Sequence, residues 1–266
     1  ALPRREHVRD REGSPDGRAT ARRAKSARQT IRVEPKVLAP LAALSPEEFR
    51  DIHLLAYHNW DNTRRFLDRI DVKENTIVTS GAGMKSWNPW RRNTHFVLEN
   101  FRAALDAPGE WFLARDGTLS YLPLSDEDLT RARVFAPVTD QFLVLRGDPA
   151  QGTFVEHIAF KGLAFRHSQW VTPPEGFEPS QAAAPIQAVR QADVARHVTV
   201  EYVEVGHLGI SGIWFRKGCR DCVVRHCEVH DFGAGGVRIG ETGLARSEPE
   251  RTSHITVDNN IVRHGG

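Results

Sequence analysis

The chain has 266 residues, of which 40% are hydrophobic and 26% are charged. That is enough for a packed core or for two domains of ordinary size, and it excludes a disulfide-stapled miniprotein and a collagen-like or low-complexity chain. The formal net charge of +2 is unevenly spread, because residues 1–32 hold ten basic and four acidic residues. The basic excess therefore belongs to the N-terminal segment, and we expect no nucleic-acid partner.

The two ends of the chain indicate a piece of a longer protein. The chain begins at Ala1, without the basic, apolar and small-residue order of a signal peptide, and it stops directly after a strand-like run. Its most apolar run, residues 37–44, is too short to span a membrane. We therefore expect truncation at both ends and no membrane partner.

Residues 1–45 are rich in Arg and Ala and weakly patterned. A helix is predicted to begin at 45–49 (SPEEF), with Ser45 as N-cap, Pro46 in the first turn and Glu48 three residues after the cap. A second short helix is predicted over 99–105.

Residues 46–125 predict a β-rich domain. Two runs, 54–57 and 76–79, have strand character. The pair Asp116-Gly117 lies between the strand-like runs 111–115 and 118–122, a strong β-hairpin signal.

Four segments of eleven residues align without gaps in the second half of the chain. They are 157–167, 197–207, 221–231 and 254–264. Columns two, four, seven and nine are apolar in nearly every copy, with the period of two expected of half-buried strands and a break that marks a bend. The strings GISGIWFRKG (209–218) and GAGGVRIGE (233–241) also align.

Each copy is thus part of a coil of about 24 residues with three short strands. This predicts an all-β fold in which 126–266 form a right-handed parallel β-helix, first coils only, truncated at the C-terminus and preceded by a smaller β-rich inserted domain. A leucine-rich repeat is disfavoured by the absence of its leucine pattern, and a propeller because 24 residues cannot make a four-stranded blade.

Several strings resemble proteins of glycoside hydrolase family 141 and their right-handed β-helix relatives. They are LENFRAALDAPGEWFLARDGTLSYLP (98–123), FKGLAFRHSQW (160–170) and GIWFRKGCRDCVVRHCEVHDFGAGGVRIGE (212–241). YHNWDNTRRFL (57–67) is similar to the inserted β domain of that family, and PDGRATARRAKS (15–26) resembles the family more weakly. The resemblance implies a secreted or periplasmic polysaccharide-active hydrolase, with α-L-fucosidase or xylanase activity among the family's members.

The three cysteines, Cys219, Cys222 and Cys227, lie within nine residues. A CxxC pair suggests zinc, but no second ligand pair follows at a fitting distance. Because Cys222 and Cys227 fall in apolar columns, we interpret all three as core thiols and predict no metal site and no cofactor.

Asp231 is the candidate catalytic residue. Column eleven reads His167, His207, Asp231 and His264, where strands exit into corners and side chains face solvent. A carboxylate between imidazoles can act as general acid or base. The alternative is an Asp that accepts backbone N–H bonds at the Gly-rich corner 232–236.

A glycosidase commonly needs a second carboxylate. Glu204, Glu228 and Glu241 are the candidates, the first two stacked in column eight, and further coils beyond residue 266 are the other expected source. Solvated surface glutamates and an ordinary surface ion pair are the alternatives.

Six residues are predicted to bind substrate. They are Trp170, His207, His230, Trp214, Arg238 and Glu241. Trp214 and Arg238 share an outward column, where a Trp face can stack on a sugar and an Arg can bind hydroxyl or carboxylate groups. In the alternative, a loop or the N-terminal domain covers Trp214, and Trp170 merely anchors the loop 168–185.

These observations predict a monomeric glycoside hydrolase that cleaves a polysaccharide or oligosaccharide by carboxylate acid/base chemistry. A non-catalytic glycan-binding β-helix and a polysaccharide lyase remain the alternatives.

Overall fold

The structure is a computed structural model that describes residues 6–7, 11–12, 27–59, 61–85, 90–92, 94–179, 183–184 and 186–265. Most of the regular secondary structure in these residues is β-strand, as the all-β prediction requires. The chain divides into two compact units, Ala1–Arg133 with Thr172–Gln181, and Val134–Val171 with Ala182–Gly266.

The first unit combines short helices with antiparallel strands. Its elements are β1 (Glu6–His7), β2 (Arg11–Glu12), β3 (Gln29–Arg32), α1 (Pro35–Ala42), α2 (Pro46–Phe49), β4 (His53–Tyr57), β5 (Asn62–Asp71), β6 (Thr76–Thr79), β7 (His95–Glu99), a 3-10 turn (Arg102–Ala104), β8 (Trp111–Leu113) and β9 (Leu119–Tyr121). Seven strands form one sheet in the order β1-β7-β4-β5-β6-β3-β2, and β8 and β9 form a separate hairpin.

Helix α1 contributes apolar side chains to the core of the first unit. Val37, Leu38 and Leu41 of the helix belong to the same buried cluster as Leu54 of β4 and Phe96 of β7. Burial of such apolar side chains is the main stabilising contribution to a unit of this size.

The structure confirms most of the local predictions here. Ser45 caps α2, its hydroxyl accepting from the Glu48 amide at 3.2 Å, while the Glu48 side chain accepts from the Ser45 amide at 3.1 Å. The strands predicted at 54–57 and 76–79 correspond to β4 and β6, and the hairpin at Asp116-Gly117 joins β8 to β9.

The helix predicted over 99–105 is wrong except for one 3-10 turn. Asn100 adopts a left-handed backbone (φ +68°) and Phe101 an extended one. Neither conformation can belong to an α-helix. Burial of Phe101 has overridden the local helical pattern.

The second unit consists of short parallel strands. They are β10 (Leu143–Arg146), β11 (Val155–Glu156), β12 (Ala159–Lys161), β13 (Ala164–Ser168), β14 (Ala188–Asp193), β15 (Ala195–Arg196), β16 (Thr199–Glu201), β17 (Glu204–Leu208), β18 (Ser211–Phe215), β19 (Arg220–Arg225), β20 (Glu228–Phe232), β21 (Val237–Ile239), β22 (Ser253–Asp258) and β23 (Ile261–Gly265). A 3-10 turn, Glu248–Glu250, precedes β22.

These strands build three parallel sheets that the chain visits in turn. The first has the order β10-β14-β18-β21, the second β11-β15-β19-β16-β12 with β22 paired to β19, and the third β13-β17-β20-β23. The aligned columns are register partners. Column four pairs Phe160, Val200, Val224 and Val257, and column nine pairs Phe165, Val205, Val229 and Val262.

The apolar columns line the core enclosed by these sheets. The three cysteines belong to this core, as predicted, and their thiols contact backbone carbonyl oxygens such as Ala192 O, 3.2 Å from Cys219 Sγ. Burial raises the pKa of the Cys219 thiol to about 12.

Left-handed residues mark three corners of each coil. Columns one, six and eleven all have positive φ values: His157, His197, Asp221 and His254; Gly162, Tyr202, His226 and Asn259; His167, His207, Asp231 and His264. Gly, Asn, Asp and His tolerate this conformation better than other residues. The corner geometry therefore accounts for much of the residue choice in these columns.

None of the described helices has the length and apolarity needed to cross a membrane. The similarity of PDGRATARRAKS (15–26) to the family lies outside the described residues.

Candidate functional site

Asp231 lies at the outer surface of the third parallel sheet, near the end of β20. Its side chain is 61% exposed, and its Oδ2 lies 2.7 Å from Nδ1 of His207 on the preceding coil. Its φ of +48° places Asp231 at a left-handed corner. The corner amides of Gly233 and Gly235 donate to Leu208 O and Ser211 Oγ, while the Asp231 carboxylate bonds to an imidazole, which fits the acid–base interpretation.

His207 is held from three directions. Its ring stacks on His167 with centroids 5.0 Å apart, meets the edge of His230 at 5.2 Å, and bonds to Asp231. When Nδ1 carries the hydrogen and donates it to the carboxylate, Nε2 is the acceptor. With His207 47% exposed, this pair can exchange a proton with a molecule on the surface.

A second acid–imidazole pair lies beside the first. Oε1 of Glu204 lies 3.1 Å from Nε2 of His230. Arg166 also donates to this carboxylate through two nitrogens, Nε at 2.7 Å and Nη2. The bonds from Arg166, and to a lesser extent His230, lower the pKa of Glu204 to about 2 against the opposing effect of burial. Glu204 is therefore ionised at neutral pH and cannot serve as a proton donor there.

Gly206 makes room for the His230 ring. The two residues are register partners on adjacent coils, and a β-carbon at Gly206 would lie 2.5 Å from both Cε1 and Nε2 of His230. The imidazole therefore lies over the bare backbone of Gly206, which brings it to Glu204. His230, 8% exposed, positions Glu204 and offers little surface to a substrate.

The other two candidate carboxylates are also paired with arginines. Oε1 of Glu228 accepts from Nε of Arg263 at 2.8 Å, and Oε1 of Glu241 lies 3.0 Å from Nε of Arg216. The predicted surface ion pair at Glu241 is thus present. Glu204 and Glu228 are register partners on adjacent strands, which places two like charges side by side. The repulsion between them is reduced because each carboxylate is paired with its own guanidinium.

The expectation of an exposed Trp214 face is wrong. Trp214 is 4% exposed, and its Nε1 donates to Gly240 O at 2.8 Å. The Arg238 guanidinium covers the ring at 3.7 Å from its centroid and donates to the carbonyl oxygens of Ala184 and Ile186. The cover that the alternative assigned to a loop or the N-terminal domain is therefore Arg238, held in place by carbonyl oxygens of Ala184 and Ile186.

Trp170 packs against the core of the second unit, where it anchors the start of the inserted loop. A β-carbon at Gly209 would lie 2.6 Å from Cβ of Trp170, so this glycine permits the close approach. The cleft-lining role predicted for Trp170 gains no support from this packing.

The structure thus brings four predicted or candidate residues together on the third sheet: Asp231, His207, His230 and Glu204. It places Trp214, Arg238 and Glu241 on or beside the first sheet. Arg166 and Gly206 were not among the residues predicted from the sequence. The aligned segments do contain a signal for them. Column ten reads Arg166, Gly206 and His230 in successive copies, and Glu204 lies two residues before Gly206 in column eight.

Among the described residues there is no cluster of three or more His, Cys, Asp or Glu side chains arranged to hold a metal ion.

No protein-family model matches the chain, and no curated protein matches it in sequence. A solved structure described as "Glycoside hydrolase" superposes on it with a TM-score of 0.73 at 19% sequence identity. The superposition covers 98% of this chain and 52% of that one, so this chain spans about half the length of its structural neighbour. At this identity the likeness shows a shared fold.

Proposed function

We propose that the protein is a polysaccharide-active glycoside hydrolase, related to family 141 and built on a right-handed parallel β-helix. Three parallel sheets visited in turn support the β-helix, and parallel crossovers are right-handed in nearly all proteins. The glycoside hydrolase with the similar fold supports the reaction class. A polymeric substrate fits the secreted or periplasmic location implied by the family resemblance.

The observation that carries the proposal is the exposed Asp231–His207 pair beside an ionised glutamate. Glycoside hydrolysis needs a proton at the leaving oxygen and a negative charge near the sugar ring, where positive charge develops. Asp231, hydrogen-bonded to an imidazole, exchanges the proton. Glu204, held ionised by Arg166, supplies the fixed negative charge.

A non-catalytic glycan-binding protein is the second candidate. It is favoured by one observation: Glu204, Glu228 and Glu241 are all paired with arginines. Each of these three carboxylates is held by a guanidinium, so none of them is positioned as the second catalytic carboxylate that glycosidases commonly need. A surface of this kind can still hydrogen-bond sugar hydroxyls.

The experiment is a screen of xylans, fucose-containing polysaccharides and uronate-containing polysaccharides, with release of reducing ends as the readout. We expect the wild-type protein to release reducing ends from at least one class. Glycan-array binding without any release identifies the second candidate. Products that absorb in the ultraviolet as unsaturated sugars identify a lyase and contradict both proposals.

A further inference from the structure

An arginine points into the apolar core of the second unit. Arg190 lies in β14, where its register partners are Leu143 of β10 and Ile213 of β18. Ile213 belongs to the core, and Arg190 is only 4% exposed. Arginine is almost never buried to this extent unless it is paired.

No carboxylate pairs with this guanidinium among the described residues. Its central carbon lies 4.8 Å from the ring centroids of both Phe160 and Phe165, while Nε and Nη1 are buried without a hydrogen-bond partner. Asp193 on the same strand is already bound by Arg216 at 2.6 Å and by Gln191 at 3.2 Å.

Arg190 nevertheless keeps its charge at neutral pH. Burial lowers its pKa, but only to about 10. The ionisable group that faces it is the Cys227 thiol, whose pKa burial raises, so this group supplies no negative charge at pH 7. Two phenyl faces attract a cation but accept no hydrogen bond in the guanidinium plane. Among the described residues, the positive charge of Arg190 therefore has no negative partner, and its Nε and Nη1 donors have no acceptor.

A cavity of about 20 Å³ adjoins Arg190. Its walls are otherwise mainly apolar, with contributions from Leu143, Leu145, Phe160, Val200 and Ile213. This space admits a particle of about the size of a water molecule and excludes a larger oxyanion. A water there would find one unpartnered acceptor, Oε1 of Gln191, but it would leave the charge of the guanidinium without a counter-ion. A small anion needs only donors.

We propose that this cavity binds a small monovalent anion of halide size, held by Nε and Nη1 of Arg190. The anion neutralises the buried guanidinium and satisfies both donors, so it stabilises the folded second unit. This site is separate from the carbohydrate chemistry of Asp231, and its test does not depend on enzyme activity.

The test measures thermal unfolding in sodium chloride, sodium bromide and sodium gluconate at equal ionic strength. Halide at about tenfold its dissociation constant should raise the midpoint of the wild-type protein by about 2–4 °C over gluconate, an anion too large for the cavity. Arg190→Met should lose this difference. Arg131→Met, which removes an exposed arginine, should retain it. A wild-type midpoint independent of the anion, or an equal response in all three proteins, overturns the proposal.

A second measurement keeps the proposal testable if Arg190→Met does not fold. Wild-type crystals soaked in bromide should show an anomalous scattering peak within about 3.5 Å of the Arg190 guanidinium. Density at water strength without an anomalous peak, or no density, contradicts an anion site.

Discussion

Gly206→Ala tests whether the glycine in β17 holds the site together. A β-carbon there would lie 2.5 Å from two atoms of the His230 ring, closer than any real contact permits. The ring must swing away from Glu204, which breaks the 3.1 Å hydrogen bond between them. The Arg166 fork on Glu204 does not involve Gly206 and should remain.

The magnitude follows from two opposing contributions. A misfit in a packed site costs about 1–3 kcal/mol, and the lost hydrogen bond is part of that cost. Replacing glycine by alanine restricts the unfolded chain and returns about 0.4–1 kcal/mol. We expect Gly206→Ala to lower the free energy of unfolding by about 1–2 kcal/mol.

The assay is urea unfolding at pH 7 with Gly243→Ala as the matched control. Nothing lies within 4 Å of a β-carbon built on Gly243, so that variant should be neutral or slightly stabilised. In a His230→Ala background, Gly206→Ala should cost almost nothing, because the clashing ring is gone. Equal stability of Gly206→Ala and Gly243→Ala, or a cost of Gly206→Ala that persists without His230, would show that the glycine does not make room for the ring.

Two further predictions concern charge and thiol chemistry. Arg166→Met removes the fork on Glu204, and because Arg166 is largely exposed we expect only a small loss of stability at pH 7. Folding lowers the pKa of Glu204, so the stabilisation from this ion pair is present above about pH 4.5 and should disappear as the pH falls towards 2. A difference in unfolding free energy between wild type and variant that grows on acidification would contradict this. The three core cysteines should resist a thiol-specific colorimetric reagent in the native protein at pH 8 and react only in denaturant, because burial raises the pKa of Cys219 to about 12. Rapid labelling of the native protein would contradict the burial of these thiols.

Much of the fold could be predicted because its signals are local or periodic. The cap at Ser45 and the Asp116-Gly117 turn depend on neighbouring residues alone. The columns of the second unit repeat with a fixed period, and the structure pairs the same columns in register. The helix predicted over 99–105 failed because the left-handed backbone of Asn100 and the burial of Phe101 depend on the rest of the unit.

The candidate site was only partly predictable for a similar reason. The outward position of Asp231 follows from its column, but its bond to His207 depends on the rotamers of two corner residues. The cover over Trp214 is Arg238, which is held there by carbonyl oxygens of a segment whose sequence has no periodic pattern. Asp, Asn, His and Gly recur in the columns that form the left-handed corners. These residue types suit the corner backbone, so their presence in a column is not by itself a sign of chemistry.

The most direct test of the account is the ratio of kcat/KM between Asp231→Asn and Asp221→Asn on the best substrate found. Both aspartates are exposed and left-handed, with φ values of +48° and +50°, and asparagine tolerates that conformation equally well. A general acid–base residue contributes about 10²–10⁴-fold to the rate. If Asp231 is the general acid–base residue, Asp231→Asn should lose at least about 100-fold and Asp221→Asn less than about twofold. Equal activity in the two variants would show that Asp231 is only a corner residue.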